Sequence, residues 1–233
     1  MTRHALPAIL PRRGRPWFPS VNAADVHGLV AAGGSLSADW LLHAYECGIF
    51  PWYDEDSPPL WWSPDPRAVM DLERLHVSRS MERFIRNTDL VLAFDTAFPD
   101  VMRECGRDRE DGTWILPETV EAYCRLHELG HAHSIEVWTP DRRLVGGLYG
   151  VHRGGLFAAE SMFHRVTNAS KLALIAAVRS LFQAGITLFD VQFVTPHLAS
   201  LGAYTVPRAE YMRRLASATA SHVSLGQLEL AAT

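Results

Sequence analysis

Four apolar runs and one long helix, Ser134-Ile-Glu-Val-Trp138, Leu144-Val-Gly-Gly-Leu-Tyr-Gly-Val-His152, Leu156-Phe-Ala-Ala-Glu-Ser-Met-Phe163, Ala169–Ala184 and Thr187-Leu-Phe-Asp-Val-Gln-Phe193, decide the fold of this chain. The first three runs are rich in β-branched and aromatic residues. Thr139-Pro-Asp-Arg and Arg153-Gly-Gly separate them with turn formers, so they read as hairpin-linked strands. The helix is closed by Gly185, and a fourth strand, Thr187–Phe193, follows it.

Working outward, Pro117 opens a helix that Gly130 closes, and Ala97–Cys105 forms another ended by Gly106. Ser80 is the expected cap of a short helix through Arg86, and Ser37 caps one running to Cys47 before Gly48. Its buried face is Leu41, Leu42, Ala44 and Tyr45. Downstream, Thr195–Gly202 reads as a short helix, and Pro207 starts a last one through about Ala218. Residues 51–66 hold so many prolines and aspartates that long regular structure is not expected there. The expectation is an α+β fold: a small N-terminal domain, residues 1–63, before a larger domain, residues 64–233, with a mixed, mainly antiparallel sheet flanked by helices. The order of three strands, helix, strand, helix resembles the core of the GNAT acyltransferase superfamily.

Composition narrows the function classes. At 233 residues and 48% hydrophobic content the chain can bury a core without staples. Three cysteines, Cys47, Cys105 and Cys124, make a poor disulfide framework, so a reducing, cytoplasmic setting is expected. The opening fifteen residues are too short and proline-broken for an export leader, and no run approaches a membrane span. A formal net charge of −4 means that any RNA contact is local.

Five features can carry chemistry. Strand alternation places Asp190 and Gln192 on one face of an otherwise apolar run, where two polar groups are costly unless bonded. Spacing leaves two readings: a buried pair tying down a loop, or a site at the strand's carboxyl end. Glu160 interrupts another apolar strand; it can partner a core arginine such as Arg165 or Arg179, or receive a cationic substrate group. Arg79, Arg83 and Arg86 share one helical face that either meets solvent or binds phosphates, with Glu82 diluting it. Trp52, Trp61, Trp62 and Trp114 form a small core or stack on an unpaired base. Cys124, His127, His131 and His133 are zinc-type ligands, but a helix end breaks their spacing, and structural histidines are the commoner outcome. The place of a CoA-cradling glycine loop reads Arg165-Val-Thr-Asn-Ala-Ser170 instead, which argues against a CoA donor.

Taken together, Trp17-Phe-Pro-Ser, Gly48-Ile-Phe-Pro-Trp52, Trp61-Trp-Ser-Pro-Asp-Pro-Arg67, the block from Glu121 to Glu136, Gly146-Gly-Leu-Tyr-Gly150, Glu160-Ser-Met-Phe163, Asn168-Ala-Ser-Lys171, Asp190-Val-Gln192 and His197–Gly202 run almost the whole chain. Their order and spacing resemble the leucyl/phenylalanyl-tRNA–protein transferase family. The resemblance implies a small N-terminal domain on a GNAT-like one. It implies transfer of Leu or Phe, less well Met, from aminoacyl-tRNA to proteins beginning with Lys or Arg, marking them for degradation. It implies no metal and no organic cofactor. By position it makes Asp190 and Gln192 catalytic and places Glu160 near the acceptor peptide. It sets Trp52, Trp114, Leu148 and Phe157 around the adenosine and amino-acid pocket, and it gives Arg79, Arg83 and Arg86 the tRNA acceptor stem. A monomer is expected. The rival readings are a CoA-dependent N-acyltransferase, a non-catalytic RNA-binding module and a zinc protein.

Overall fold

The computed structural model describes residues 7–107, 112–226 and 228–231. The first six residues of the segment read above against an export leader therefore lie outside the described residues. The N-terminal part builds a four-stranded sheet. Strands β1 (Ala8–Leu10), β2 (Leu29–Gly33), β3 (Phe50–Pro51) and β4 (Leu60–Trp62) lie in the order β1-β2-β4-β3. Helix α1 (Ala38–Glu46) joins β2 to β3, and Gly48 stops it at φ +74°. Trp40, Leu41, Ala44 and Tyr45 form its buried face; Leu42, expected there, is only half-buried. Trp40 and Trp61 are buried, with Phe18 edge-on to both, and the Trp61 indole donates to the Gly33 carbonyl at 2.7 Å. Part of the tryptophan set is thus a small core.

The rest of the chain builds one seven-stranded sheet. Its strands are β5 (Arg67–Met70), β6 (Val91–Phe94), β7 (Ala132–Trp138), β8 (Leu144–Arg153), β9 (Leu156–His164), β10 (Leu188–Gln192) and β11 (Tyr204–Val206), in the order β11-β5-β10-β9-β8-β7-β6. Strands β9 and β10 pair parallel and the other neighbours pair antiparallel, so the sheet is mixed and mainly antiparallel. The parallel pair needs a crossover, and α5 (Ala169–Gln183) supplies it. That helix buries residues on nearly every side because it packs against β7, β8 and β9 under the polypeptide's C-terminal segment.

The remaining helices are α2 (Arg79–Asn87), α3 (Phe98–Gly106), α4 (Pro117–Glu128), α6 (Pro196–Ser200) and α7 (Arg208–Thr219). Ser78, not Ser80, caps α2: its hydroxyl accepts from the Met81 amide at 3.3 Å. The side chain two residues earlier reaches the right amide, a choice that sequence spacing could not make. Gly106 closes α3 from inside the helix, where a Cβ would lie 3.2 Å from the Ile115 side chain.

One apolar cluster runs through both sheets, joining Leu10, Trp40 and Trp61 to Phe98, Tyr149, Leu188 and Tyr211. A second, centred on α5, covers the other face of the larger sheet. Strands β8 and β9 close tightly where a bulge falls between Tyr149 and Gly150. A Cβ on Gly150 would lie 2.4 Å from the Ala158 carbonyl oxygen, so only glycine permits that approach.

Candidate active site

The site forms where the carboxyl end of β10 lies beside the middle of its parallel neighbour β9. Asp190 is fully buried on β10. Its carboxylate takes a two-point fork from Arg67 on β5, Nε to Oδ1 at 2.8 Å and Nη2 to Oδ2 at 2.6 Å. The Tyr211 hydroxyl of α7 donates to Oδ2 at 2.9 Å, and the Gln192 backbone N–H donates to Oδ1 at 2.9 Å. Four donors leave this carboxylate with little further acceptor capacity. Arg67 is itself buried; its Nη1 donates to the Gly48 carbonyl at 3.2 Å, and its guanidinium lies over the Phe50 and Tyr211 rings at 4.7 and 4.6 Å. Burial alone would lower the Arg67 pKa, but the Asp190 charge more than offsets this and holds it above the ordinary arginine range.

The alternation expected for Asp190 and Gln192 does not survive in the structure. Register against β5 shifts between them, and Gln192 adopts a left-handed φ of +55°. Such a conformation is costly for a non-glycine residue and is held here by the hydrogen bond that the Gln192 backbone N–H donates to the Asp190 carboxylate. Instead of facing Asp190, the Gln192 side chain donates from Nε2 to Glu160 Oε1 at 3.3 Å. The bulge therefore connects the two carboxylates, with the Gln192 backbone on one and its side chain on the other.

Glu160, half-buried in the middle of β9, stands in a different environment. Burial pushes its pKa up to about 8, and the Asp190 charge adds to that; the Tyr45 hydroxyl, Arg67 and the Tyr123 hydroxyl oppose it. The Tyr45 and Tyr123 hydroxyls are 2.6 Å apart and buried. The arginine partners expected for Glu160 are elsewhere: Arg165 pairs with Glu104 at 2.6 Å, and Arg179 lies on α5. The core arginine of this site is Arg67, and it takes Asp190.

Two small cavities share the Glu160–Gln192 wall. One, of about 90 Å³, is aromatic, lined by Phe50, Trp52, Trp114 and Phe193. The other, of about 80 Å³, is mainly apolar, lined by Leu148, Met162, Leu174, Val191 and Leu198. Trp52 is exposed and packs between Trp62 and Phe193, with ring centroids 6.0 and 5.8 Å away. Trp52, Trp114 and Leu148 thus meet at the site. Phe157 lies behind it, fully buried against Phe189 with centroids 5.4 Å apart. Arg79, Arg83 and Arg86 are exposed along α2 and, among the described residues, form no ion pair. Arg67, Tyr211, Tyr45, Phe193 and Met162 were not assigned to the site from the sequence; the one signal was an arginine opening the apolar run Arg67-Ala-Val-Met70.

The zinc-type set does not assemble. His127 turns its Nδ1 to the Ala132 carbonyl at 2.8 Å and stacks on Phe98, while His133 turns its Nδ1 to Asp95 at 2.6 Å. Among the described residues no three His, Cys, Asp or Glu side chains are placed to hold a metal ion.

A family model described as leucyl/phenylalanyl-tRNA protein transferase matches residues 69–216, and one described as the N-terminal domain of that transferase matches residues 34–65. Proteins named leucyl/phenylalanyl-tRNA–protein transferase are similar to this chain over most of its length. That of Aromatoleum aromaticum is 53% identical, covering 88% of this chain and 88% of its own. That of Chromobacterium violaceum is 52% identical, covering 86% and 87%, and that of Citrobacter koseri 51%, covering 86% and 86%. Among solved structures, L-PGS from Bacillus licheniformis aligns with a TM-score of 0.40 and 14% identity over 56% of this chain and 46% of its own.

Two outcomes follow from this geometry. Arg67→Ala leaves Asp190 buried without its counter-ion, and denaturant unfolding will show a loss of about 3–5 kcal/mol. For Glu160 the native pKa lies above the ordinary 4.5, so its contribution to stability is complete below that value and is lost as pH rises through about 8. Stability measured across that window will fall less steeply in Glu160→Gln than in the unmodified protein; equal slopes would show that Glu160 is ionised throughout.

Proposed function

Because the chain belongs to the leucyl/phenylalanyl-tRNA protein transferase family, we propose that it moves Leu or Phe, and Met less well, from aminoacyl-tRNA to the N-terminal Lys or Arg of acceptor proteins. The observation that supports this reading best is the pair of cavities divided by Gln192 and Glu160. The aromatic one suits the terminal adenosine, stacked on Trp52 and Trp114. The apolar one, with Leu148 in its wall, suits a donor side chain that is not branched at Cβ, as in Leu and Phe. Val and Ile branch at Cβ and fit it less well, by about 1–3 kcal/mol. The GNAT-like reading of residues 64–233, with residues 1–63 as a small domain beside it, rests on the order β7-β8-β9-α5-β10.

The reaction is aminolysis of an ester that is already activated. The acceptor nitrogen bonds to the ester carbonyl carbon, the bond to the ribose oxygen breaks, and the proton lost by the amine ends on that oxygen. The free α-amine has a reference pKa of about 7.7–8.0, so a sizeable fraction is neutral near pH 7 and positioning dominates. Asp190 is saturated by Arg67, Tyr211 and the Gln192 amide, so it serves as a positioning residue rather than a base. It fixes the bulge that aims Gln192. The Gln192 Nε2 is committed to Glu160, which leaves its Oε1 to accept an N–H of the attacking amine. Glu160 gives up its proton when the cationic first residue of the acceptor arrives beside it. Arg79, Arg83 and Arg86 meet the acceptor-stem phosphates. No helix among the described residues is long and apolar enough to cross a membrane, and the proposed setting is the cytoplasm, with the protein acting as a monomer on substrates whose modification marks them for degradation.

Transfer of radiolabelled leucine from Leu-tRNA tests this directly. A protein beginning with Arg will be labelled and the same protein beginning with Ala will not; label on neither would refute the activity. Asp190→Ala will lose most of its kcat, and a change within about twofold would make Asp190 purely structural. Arg79→Ala with Arg83→Ala will weaken tRNA binding and reduce its salt slope by about 2, and an unchanged slope would place the tRNA on another face.

A further inference from the structure

A second site stands at the opposite end of the larger sheet. Gln192 ends β10 and Glu160 sits midway along β9, whereas the β8–β9 hairpin at Arg153–Gly154 lies beyond the amino ends of both strands. There a cavity of about 450 Å³ is lined by His131, His133, His152 and Arg153, with Ser221 and His222 across it from the segment after α7.

Strand register explains the gathering. His131 and His133 are two residues apart, and the His152 amide donates to the His131 carbonyl at 2.8 Å. With Ala132 opposite Val151, all three histidines fall on one face of the β7–β8 pair. Their ring nitrogens are not equivalent. The His133 Nδ1 is 2.6 Å from the Asp95 carboxylate, so it carries the hydrogen. Its Nε2 is buried and has no hydrogen-bond partner, in a side chain that is 6% exposed. A buried polar nitrogen without a partner is costly, and the residue that carries this one lines the cavity. His152 donates from Nε2 to the Gly154 carbonyl at 2.8 Å.

The neighbouring charges choose the ligand. Three metal-binding side chains do not converge among the described residues, and the Arg153 cation in the wall disfavours a metal ion further. Arg153 Nε is held by Glu46 at 2.6 Å, which fixes the guanidinium and leaves its Nη nitrogens for a ligand. We propose that this cavity binds a phosphate-type oxyanion, gripped by Arg153 and by an N–H donated from His133 Nε2. With Nδ1–H committed to Asp95, His133 donates from Nε2 only as an imidazolium, so the anion brings a proton with it.

The groups facing the cavity agree with a proton-linked anion. Burial holds the His152 pKa at about 4, with the Gly154 carbonyl opposing and the charges of His133, His131 and Arg153 adding. Burial likewise lowers His131, helped by Arg153 and His133 and opposed by Glu46. An oxyanion reverses those repulsions. His222 faces the same space, and Asp95 and Glu46 are the carboxylates that oppose binding, each already committed to a cation or imidazole.

The experiment titrates inorganic phosphate into the full chain, free of any polyhistidine tag, while nitrogen-15 chemical shifts of the histidine rings are followed between about pH 6 and pH 8. Saturable binding that moves the His133 Nε2 signal towards the imidazolium value, and that tightens as pH falls, is expected. His133→Gln and Arg153→Gln will each weaken it about tenfold, while Arg153→Lys will retain most of it. Thermal melts of each variant show whether the fold is intact, and His133→Gln keeps the test open should Arg153→Gln fail to fold. Phosphate binding that is indifferent to both His133→Gln and Arg153→Gln, or zinc binding in its place, would overturn the proposal. Adding tRNA distinguishes the source of the phosphate. Competition between tRNA and phosphate identifies an RNA backbone group, and phosphate binding that tRNA leaves unchanged identifies a free phosphate or monoester. Neither arm depends on aminoacyl transfer, so failure of the transfer assay and failure of this inference read out separately.

Discussion

The buried pair between Arg67 and Asp190 is the interaction on which the rest of the site depends. Taking both charges out of water is expensive, and the cost is offset only when every donor and acceptor is met. Here they are met from four directions. Strand β10 supplies the carboxylate, β5 the guanidinium, α7 the Tyr211 hydroxyl, and the turn after α1 the Gly48 carbonyl. The pair therefore does more than join two strands. It fastens the last helix and the N-terminal sheet to the centre of the larger sheet, at the level where the cavities open. The guanidinium also sits between the Phe50 and Tyr211 rings, so the aromatic wall and the ion pair support one another.

That arrangement sets two carboxylates apart by environment alone. Asp190 is enclosed by donors and has Arg67 as its counter-ion, whereas Glu160, with no arginine of its own, is pushed towards its neutral form. Gln192 stands between them, held through its backbone by one and through its side chain by the other. Separating a fixed charge from an adjustable one suits a reaction whose nucleophile arrives partly neutral and whose substrate carries its own cation. It also explains the strained left-handed backbone at Gln192: without the break in register its side chain would follow the strand and miss Glu160.

At the other end of the same sheet, the pairing of β7 with β8 draws histidines together for a reason unrelated to that chemistry. The histidines that sequence spacing grouped with Cys124 and His127 are regrouped by register with His152 instead. Helix α4 turns His127 onto Phe98, and so the four-residue motif divides between two surroundings.

Much of the fold was legible because its signals are local. Hairpin turns at Thr139–Arg142 and Arg153–Gly155, proline at the start of α4 and glycine after α5 fix element ends within a residue or two, since each acts through its own φ, ψ or missing donor. The short strands β2, β5, β6 and β11 were not legible, because three to five residues carry too little periodicity to show which face is buried. The sequence by itself also marked Asp190, Gln192 and Glu160, as polar groups in apolar strands have to be bonded or used. It could not say how they are bonded. That Arg67 takes Asp190 across 123 residues of chain, that Gln192 leaves the strand's alternation and turns to Glu160, and that Glu160 holds its proton near neutral pH are all consequences of burial and long-range pairing. Desolvation and register exist only once the sheet has closed, so those properties belong to the tertiary structure alone.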